Sequence, residues 1–270
     1  MLKLPGKVAL LTGASQGIGA STARALSGLG VKVYGASRSV TAGQGADYYG
    51  VPMDVTKEDS VVAGLAAVIE REGRLDAVIN CAGFAVAGPI EEISVEDAQR
   101  QFDTNFFGAA RVCRAALPHL RRHGAGLIVN IGSLAATVPL PYQAYYSASK
   151  AALALFSEAL RLEVARDGIN VVLIEPGDIK TSFTGNREQP SALSAHYEAS
   201  YQRVLEVVRR DEGGAVPPER VAAVVVRALS ARTPSPRYGA GMISQRAAVG
   251  LAAVLPRRTF QWLLAKYYRV

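Results

Sequence analysis

The sequence has 270 residues, 49% of them hydrophobic and 20% charged. This is ordinary globular composition and excludes disorder as a description of the whole chain. Two cysteines, Cys81 and Cys113, exclude a disulfide framework and a four-cysteine zinc site, and they suit a reducing compartment, so the chain is read as cytoplasmic. The formal net charge is +7, yet no Asp or Glu follows Glu219, while nine Lys or Arg do. The basic character therefore belongs to the C-terminal fifth. The longest apolar runs, such as 247–255, are about nine residues, against the roughly twenty that a membrane-spanning helix needs.

In chain order, residues 8–11 form a short apolar run that reads as a strand buried on both faces. The run is too short, and leads too soon into glycines, to be the core of a signal peptide. Thr12, Gly13, Ala14, Ser15, Gln16, Gly17, Ile18 and Gly19 follow and open a helical stretch over 18–29. Glycines at a strand-to-helix junction let the backbone approach a pyrophosphate, and the helix N-terminus offers it N–H groups and a positive dipole. Gly13-Ala14-Ser15-Gln16-Gly17 also matches the G-x-S-x-G elbow of hydrolases. That chemistry needs a later acid and histidine, and the only histidines are His119, His123 and His196.

The second strand, 31–36, runs into Ser37 and Arg38 with no carboxylate at its end. A guanidinium there suits a 2′-phosphate and predicts NADP(H) as cofactor. Asp54, followed by Val55, closes the next strand and stands where an adenine amino group could donate. A helix over 57–72 is expected behind a Thr56 cap. A strand over 77–80 ends in Asn80, Cys81, Ala82 and Gly83, at the same sheet edge. The periodicity then predicts one long helix over 95–122, capped by Ser94 with Asp97 three residues on. Asn105 lies inside it, where its amide is either solvated or organises a water. His119 and His123 are spaced like half a zinc site, but no third ligand is near and Arg121 and Arg122 surround them, so they read as a solvated helix end.

The strand 127–131 leads to Ser133. A helix over 144–166, closed by Gly168, carries Tyr146 and Lys150 four residues apart on one face. An ammonium beside a phenol stabilises phenolate, which makes Tyr146 an acid for a carbonyl oxygen that receives a hydride. Ser133 ends its strand at the edge where α/β proteins bind ligands, and could hold the same oxygen. A last buried strand, 171–175, leads to Pro176, Gly177, Ile179 and Thr181. Residues 183–215 are irregular, with Pro190 and Ser191 around short helical pieces, and read as a substrate lid. A helix over 221–231, an edge strand over 237–243 and an amphipathic stretch over 247–268, broken at Pro256, complete the chain. The alternation predicts an α/β fold of one domain: a Rossmann-type, doubly wound parallel sheet with helices on both faces.

Taken together, TGASQGIG, NCAG, the Asn105 segment, Ser133, YSASK and Pro176-Gly177 with Thr181 resemble the short-chain dehydrogenase/reductase family over about residues 5–182. The resemblance implies Asn105, Ser133, Tyr146 and Lys150 as catalytic residues. Lys150 would also bind the nicotinamide ribose, and Asn105 would hold a water in a proton relay. It places Gly13, Ser15, Gln16, Gly17, Ile18, Gly19, Ser37, Arg38, Asp54, Val55, Asn80, Ala82, Gly83, Pro176, Gly177, Ile179 and Thr181 around NADP(H), with Ile179 against the carboxamide. Cys81 departs from the NNAG form and removes an amide that braces the strand edge. Glu175-Pro176-Gly177-Asp178 is similar to the branch of 17β-hydroxysteroid dehydrogenases and retinol reductases. Pairing of the helices over 95–122 and 144–166 between subunits would give a homodimer or homotetramer.

Leu134, Ala135, Val138, Leu140, Tyr142, Phe84, Val86, Phe183, Tyr197 and Tyr201 are candidate substrate contacts. No cluster of cations converges among them, which favours an apolar carbonyl or alcohol such as a steroid, retinoid or lipid. A 3-oxoacyl thioester reductase and a catalytically silent nucleotide-binding module are the alternatives. The basic segment 244–270 interleaves Arg257, Arg258, Lys266 and Arg269 with Phe260, Trp262, Leu263, Leu264, Tyr267 and Tyr268. Peripheral membrane contact, a partner subunit and docking on the protein's own fold all remain open for it. No motif supports nucleic acid.

Overall fold

The computed structural model describes residues 3–183, 185–190 and 192–270, so Ser191 of the expected lid lies outside the described residues. β1 (Val8–Thr12) is buried along its whole length. Its side chains alternate as the strand period of two requires: Val8 and Leu10 enter one core, Ala9 and Leu11 another. β2 (Lys32–Ser37), β4 (Tyr49–Pro52), β5 (Ala77–Asn80), β6 (Gly126–Ile131), β7 (Ile169–Pro176) and β8 (Arg237–Ala240) join β1 in parallel, and the short β3 (Gly43–Gln44) adds an antiparallel edge. The order across the sheet is β3-β4-β2-β1-β5-β6-β7-β8.

Each core lies between the sheet and one layer of helices. α2 (Glu58–Glu72), α4 (Ala109–Arg122) and α5 (Ala144–Glu163) cover one face through Leu65, Val112, Cys113 and Leu160. α1 (Gly17–Ser27) and α7 (Pro218–Ser230) cover the other through Ala23, Leu26, Val221 and Val225. This is the doubly wound, Rossmann-type sheet that the alternation predicted. A third, smaller cluster joins α6 (Ala195–Gly213) to α9 (Arg257–Tyr268) through Val204, Val207 and Tyr268.

Three local expectations change. Residues 95–122 are not one α-helix: α3 (Val95–Phe102) passes into a π-helical turn, Asp103–Gly108, before α4. Hydrophobic periodicity over a long window is blind to one extra residue in a turn. Thr56 does not cap α2, because its N–H and hydroxyl both donate to Asp54 Oδ1, at 2.9 and 2.8 Å, and Lys57 takes the cap position. The 183–215 segment is mostly the single helix α6. The 247–268 stretch is two helices, α8 (Ile243–Val254) and α9, which part at Pro256 as expected. The Ser94 cap holds, its hydroxyl oxygen accepting from Asp97 N–H at 3.0 Å.

The first strand is pinned by one carboxylate. Asp76 is buried, and its Oδ2 accepts from Val8 N–H at 2.9 Å and from Arg74 Nε at 2.9 Å, while Lys7 Nζ donates to Oδ1 at 2.8 Å. Burial alone would raise its pKa; the two cations and the backbone N–H outweigh burial and hold the carboxyl below its ordinary range. A group whose folded-state pKa is depressed stabilises the fold at neutral pH, and that contribution is lost as pH falls. Asp76→Asn should therefore cost about 1–3 kcal/mol at pH 7 by chemical denaturation. The gap to the wild type should close as pH falls below about 4.

Candidate active site

β1 lies between β2 and β5, and the chain visits β2 and β4 before it returns to β5. The crevice between β1 and β5 is thus a switch point of the sheet. Two contacts close it. Thr12 Oγ1 accepts from Cys81 N–H at 3.1 Å and Ala82 N–H at 3.2 Å, tying the two strand ends together. Gly13 has φ +68°, and a Cβ there would stand 2.9 Å from the Ala82 Cα. Only glycine allows both that φ and that approach. α1 then starts at Gly17 with no capping side chain from Gln16 and no acidic residue in its first turn, which leaves its positive end to an anion.

A cavity of about 670 Å³ runs from this turn along the carboxyl ends of β5, β6 and β7. Gly13, Ser15, Gln16, Gly17, Ile18 and Gly19 line its first part. Ala82 and Gly83 follow, with Pro176, Gly177, Ile179 and Thr181 on the far side. The remaining residues expected around the cofactor do not line it. Arg38 is exposed at the end of β2 and Ser37 is half-buried beside it. Asp54 lies within electrostatic reach of Arg38, and it is held below the ordinary carboxylate range: partial burial opposes ionisation, but the Thr56 donors and Arg38 outweigh it. Val55 is a core residue. Asn80 is buried, its Nδ2 donating to Asn130 Oδ1 at 2.8 Å and Cys113 Sγ at 3.3 Å, so it braces β5 against β6 rather than facing the cleft.

Ser133, Tyr146 and Lys150 all line the cavity. Ser133 leaves β6 in extended conformation, and its Oγ accepts from Ala135 N–H at 3.1 Å, which opens a short 3-10 turn and fixes the hydroxyl. Lys150 Nζ donates to Ile131 O at 2.8 Å and sits 5.9 Å from the centre of the Tyr146 ring. Asn105 is buried in the π-helical turn, behind the cavity wall. Its Oδ1 accepts from Phe84 N–H at 3.0 Å, and its Nδ2 donates to Phe84 O at 3.0 Å and Ser149 Oγ at 3.1 Å. That amide is not solvated. It ties the chain after Gly83 to the helix that carries Tyr146.

The electrostatics differ from the expected phenolate. Burial raises the Tyr146 pKa; its hydrogen bond to Ser133 and the charge of Arg187 only partly offset this. Burial also lowers the Lys150 pKa to about 8. In the protein alone, desolvation dominates the pair: the phenol keeps its proton and the ammonium loses its own readily.

With this geometry in view, the comparisons are specific. The family model for short chain dehydrogenase matches residues 7–192. The chain belongs to the short-chain dehydrogenase/reductase family. It is 35% identical to a 3-ketodihydrosphingosine reductase of Bacteroides thetaiotaomicron over 98% of each chain. Its fold superposes on a short-chain dehydrogenase from Streptomyces avermitilis with a TM-score of 0.80, at 28% identity and 98% coverage of both chains. A 3-ketoacyl-(acyl-carrier-protein) reductase from Brucella melitensis, complexed with NADH, gives 0.74 at 25% identity, covering 87% of this chain and 97% of its own.

The remainder of this dehydrogenase cavity was only partly foreseen. Leu134, Ala135, Val138, Leu140 and Phe183 line it. Val86 and Tyr201 are buried elsewhere in the core, and Phe84, Tyr142 and Tyr197 do not reach it. Tyr142 instead takes φ +59°, an unfavourable conformation for a bulky side chain. Its hydroxyl donates to Ser200 at 2.7 Å and its ring packs edge-on to Tyr201, so α6 holds the entry to α5. No cluster of cations was expected here; Arg187 lines the cavity singly, with the carboxylates of Asp178 and Asp211. Thr12 and Ser149 stand inside the TGASQGIG and YSASK motifs, but nothing in the sequence singled out their bracing roles. None of the three histidines lines the cavity, which removes the hydrolase reading of Ser15. Phe260, Leu263, Leu264, Tyr267 and Tyr268 of α9 form one wall.

Thr12→Val keeps the bulk of the side chain and removes the acceptor for two N–H groups. It should cost about 1–3 kcal/mol in denaturant melts. It should also weaken nucleotide binding measured by calorimetry, and Thr12→Ser should restore both. Unchanged nucleotide affinity in Thr12→Val would show that the strand tie does not shape the cleft.

Proposed function

We propose that the protein is an NADP(H)-dependent reductase of apolar ketones, working reversibly as an alcohol dehydrogenase. One observation carries this: Ser133, Tyr146 and Lys150 converge in a largely apolar part of the same cavity whose other end is the glycine turn and the acid-free start of α1. The residues fit a dinucleotide, because Gly13, Gly17 and Gly19 line the cavity without side chains beside the acid-free start of α1. Ile179 and Lys150 would hold a nicotinamide, which in its reduced form would supply the hydride. Ser133 holds the substrate oxygen by its hydroxyl. Tyr146, protonated because it is buried, donates its proton to that oxygen as charge develops there. Lys150, in its charged form, stabilises the phenolate left behind and binds the nicotinamide ribose. Asn105 is a positioning residue that braces this wall, and a water relay would start beside it. Arg38 and Ser37 supply the preference for a 2′-phosphate, with Asp54 and Val55 at the adenine side.

The likeness to the 3-ketodihydrosphingosine reductase runs past residue 192, over the helices that form the substrate side of the cavity. This favours a lipid ketone over the steroid and retinoid readings. A 3-oxoacyl thioester is the second reading, favoured by the superposition on the 3-ketoacyl reductase. Residues 183–215, with α6, act as the lid. Exposed Phe107, Leu155 and Leu162, on the π-helical turn and α5, suit pairing with a second copy in a homo-oligomer.

Calorimetric titration should give much tighter binding of NADPH than NADH, and Arg38→Ser should narrow the gap. Equal affinities in the wild type would overturn the Arg38 assignment. Tyr146→Phe should keep NADPH affinity and lose at least about 100-fold in turnover of a long-chain ketone. Since the phenol stays protonated, the alkaline limb of the reduction profile should report Lys150. The rate should fall as pH rises through about 8. A rate that stays flat to about pH 10 would remove Lys150 from the mechanism.

A further inference from the structure

We infer that α8 and α9 form a docking surface for an anionic lipid bilayer, set around the mouth of the catalytic cavity. α8 carries one charge, Arg246, among mostly apolar and small residues, yet none of its residues is buried. It is anchored at its start, where Gln245 Oε1 accepts from Asp178 N–H at 3.2 Å and the Gln245 amide donates to the Asp178 carboxylate. From there it presents Leu251, 46% exposed, and Val254, 76% exposed. α9 buries Phe260 and Tyr268 but leaves Trp262 60% exposed, Leu263 40% and Tyr267 47%. Leu251, Leu263 and Tyr267 belong to both surfaces: they line the cavity and are open to the outside. The apolar patch is therefore continuous with the interior of the site.

Charge selects the occupant. No carboxylate lies in residues 220–270. Arg257 and Arg258 open α9 and are exposed, and Lys266 Nζ sits 5.3 Å from the centre of the Trp262 ring. Among the described residues, none of these three cations has a carboxylate within ion-pair distance. The acidic groups nearby are engaged on the α6 side: Asp211 accepts from the Tyr267 hydroxyl at 2.6 Å, and Glu206 lies 4.0 Å from Arg269. An indole, aliphatic side chains and unpaired cations on one amphipathic pair of helices are the composition of an interfacial anchor. A soluble partner for an unpaired basic patch would have to be acidic. Acyl chains and anionic headgroups match the exposed Val254, Leu251 and Trp262 and the neighbouring cations at once. The surface would let a membrane-dissolved ketone enter the cavity without crossing water. That consequence rests on the function proposed above, while the binding itself does not.

The test is cosedimentation of the full-length protein with vesicles of phosphatidylcholine alone and of phosphatidylcholine mixed with phosphatidylglycerol. The protein should pellet with the mixed vesicles and stay in the supernatant with the neutral ones. Each cation near an anionic surface contributes about fivefold, so Arg257→Gln/Arg258→Gln should weaken binding roughly 25-fold. Val254→Ser/Trp262→Ser should also release the protein, and neither pair should change turnover of a short, water-soluble ketone. Equal binding to both vesicle types, or a doubly substituted protein that pellets like the wild type, overturns the proposal. So does a change of oligomeric state in Val254→Ser/Trp262→Ser by light scattering, which would make this face a subunit contact. Because pelleting is read without turnover, an inactive protein that still binds anionic vesicles refutes the reductase reading and leaves the surface standing.

Discussion

The architecture depends on the approach of two strand ends. At the carboxyl end of β1, Thr12 takes two N–H groups from the chain that leaves β5, and Gly13 lies against the Ala82 backbone. Parallel strands would otherwise diverge here, since the chain departs from β1 to one side of the sheet and returns at β5 on the other. Holding the ends together forces the next residues upward over the sheet edge and points the start of α1 at the gap. The cofactor cleft follows from this constraint. Gly13 and Gly19 are required by the approach of backbone to backbone, before any ligand is considered.

The chemistry depends on what is kept from water. Tyr146 and Lys150 stand on consecutive turns of α5, and the simplest view of such a pair is an ion that tunes its neighbour. Burial changes the balance. Removing water from both groups disfavours phenolate and ammonium alike, so each moves toward its neutral form. For the reduction proposed above this would suit the resting protein, since the phenol would have to carry a proton until the hydride arrives. Ser133 and the Ile131 carbonyl orient the two groups, and the Asn105 amide, saturated by Phe84 and Ser149, keeps α5 from shifting against the strand edge.

Much of this was legible in the sequence. Buried parallel strands are short apolar runs, and the junctions after 8–11, 77–80 and 127–131 carry residues that chemistry constrains strongly. What was not legible has physical causes. The π-helical turn around Asn105 adds one residue to a turn and leaves the apolar pattern intact. Asn80 resembles a cleft residue by position along its strand, but the side-chain direction at that point aims it into the core toward Asn130 and Cys113. Helix α6 has a polar outer face and a Pro- and Ser-containing approach, so local composition suggested a loop. Its core contacts, through Tyr201, Val204 and Val207, come from parts of the chain far away in sequence. Arg187 reaches the cavity only because its segment folds back beside β5, where Glu188 pairs with Val86.

The division of labour along the chain explains the uneven charge. The family model ends at residue 192, and the residues before it supply seven of the eight strands, the glycine turn and the Ser133, Tyr146 and Lys150 side chains. The residues after it supply α7 to the core and then the wall and rim of the cavity through α8 and α9. A wall that lines a largely apolar cavity on one side and faces outward on the other cannot be polar throughout. It carries aromatic and aliphatic groups on both surfaces, and its cations lie on the outward one. Backbone geometry and proton transfer restrict which residue types can serve at the strand ends of the first part. The second part needs only side chains of suitable shape and polarity along the cavity wall. That is why motifs identify the chemistry of this chain so much more sharply than its substrate.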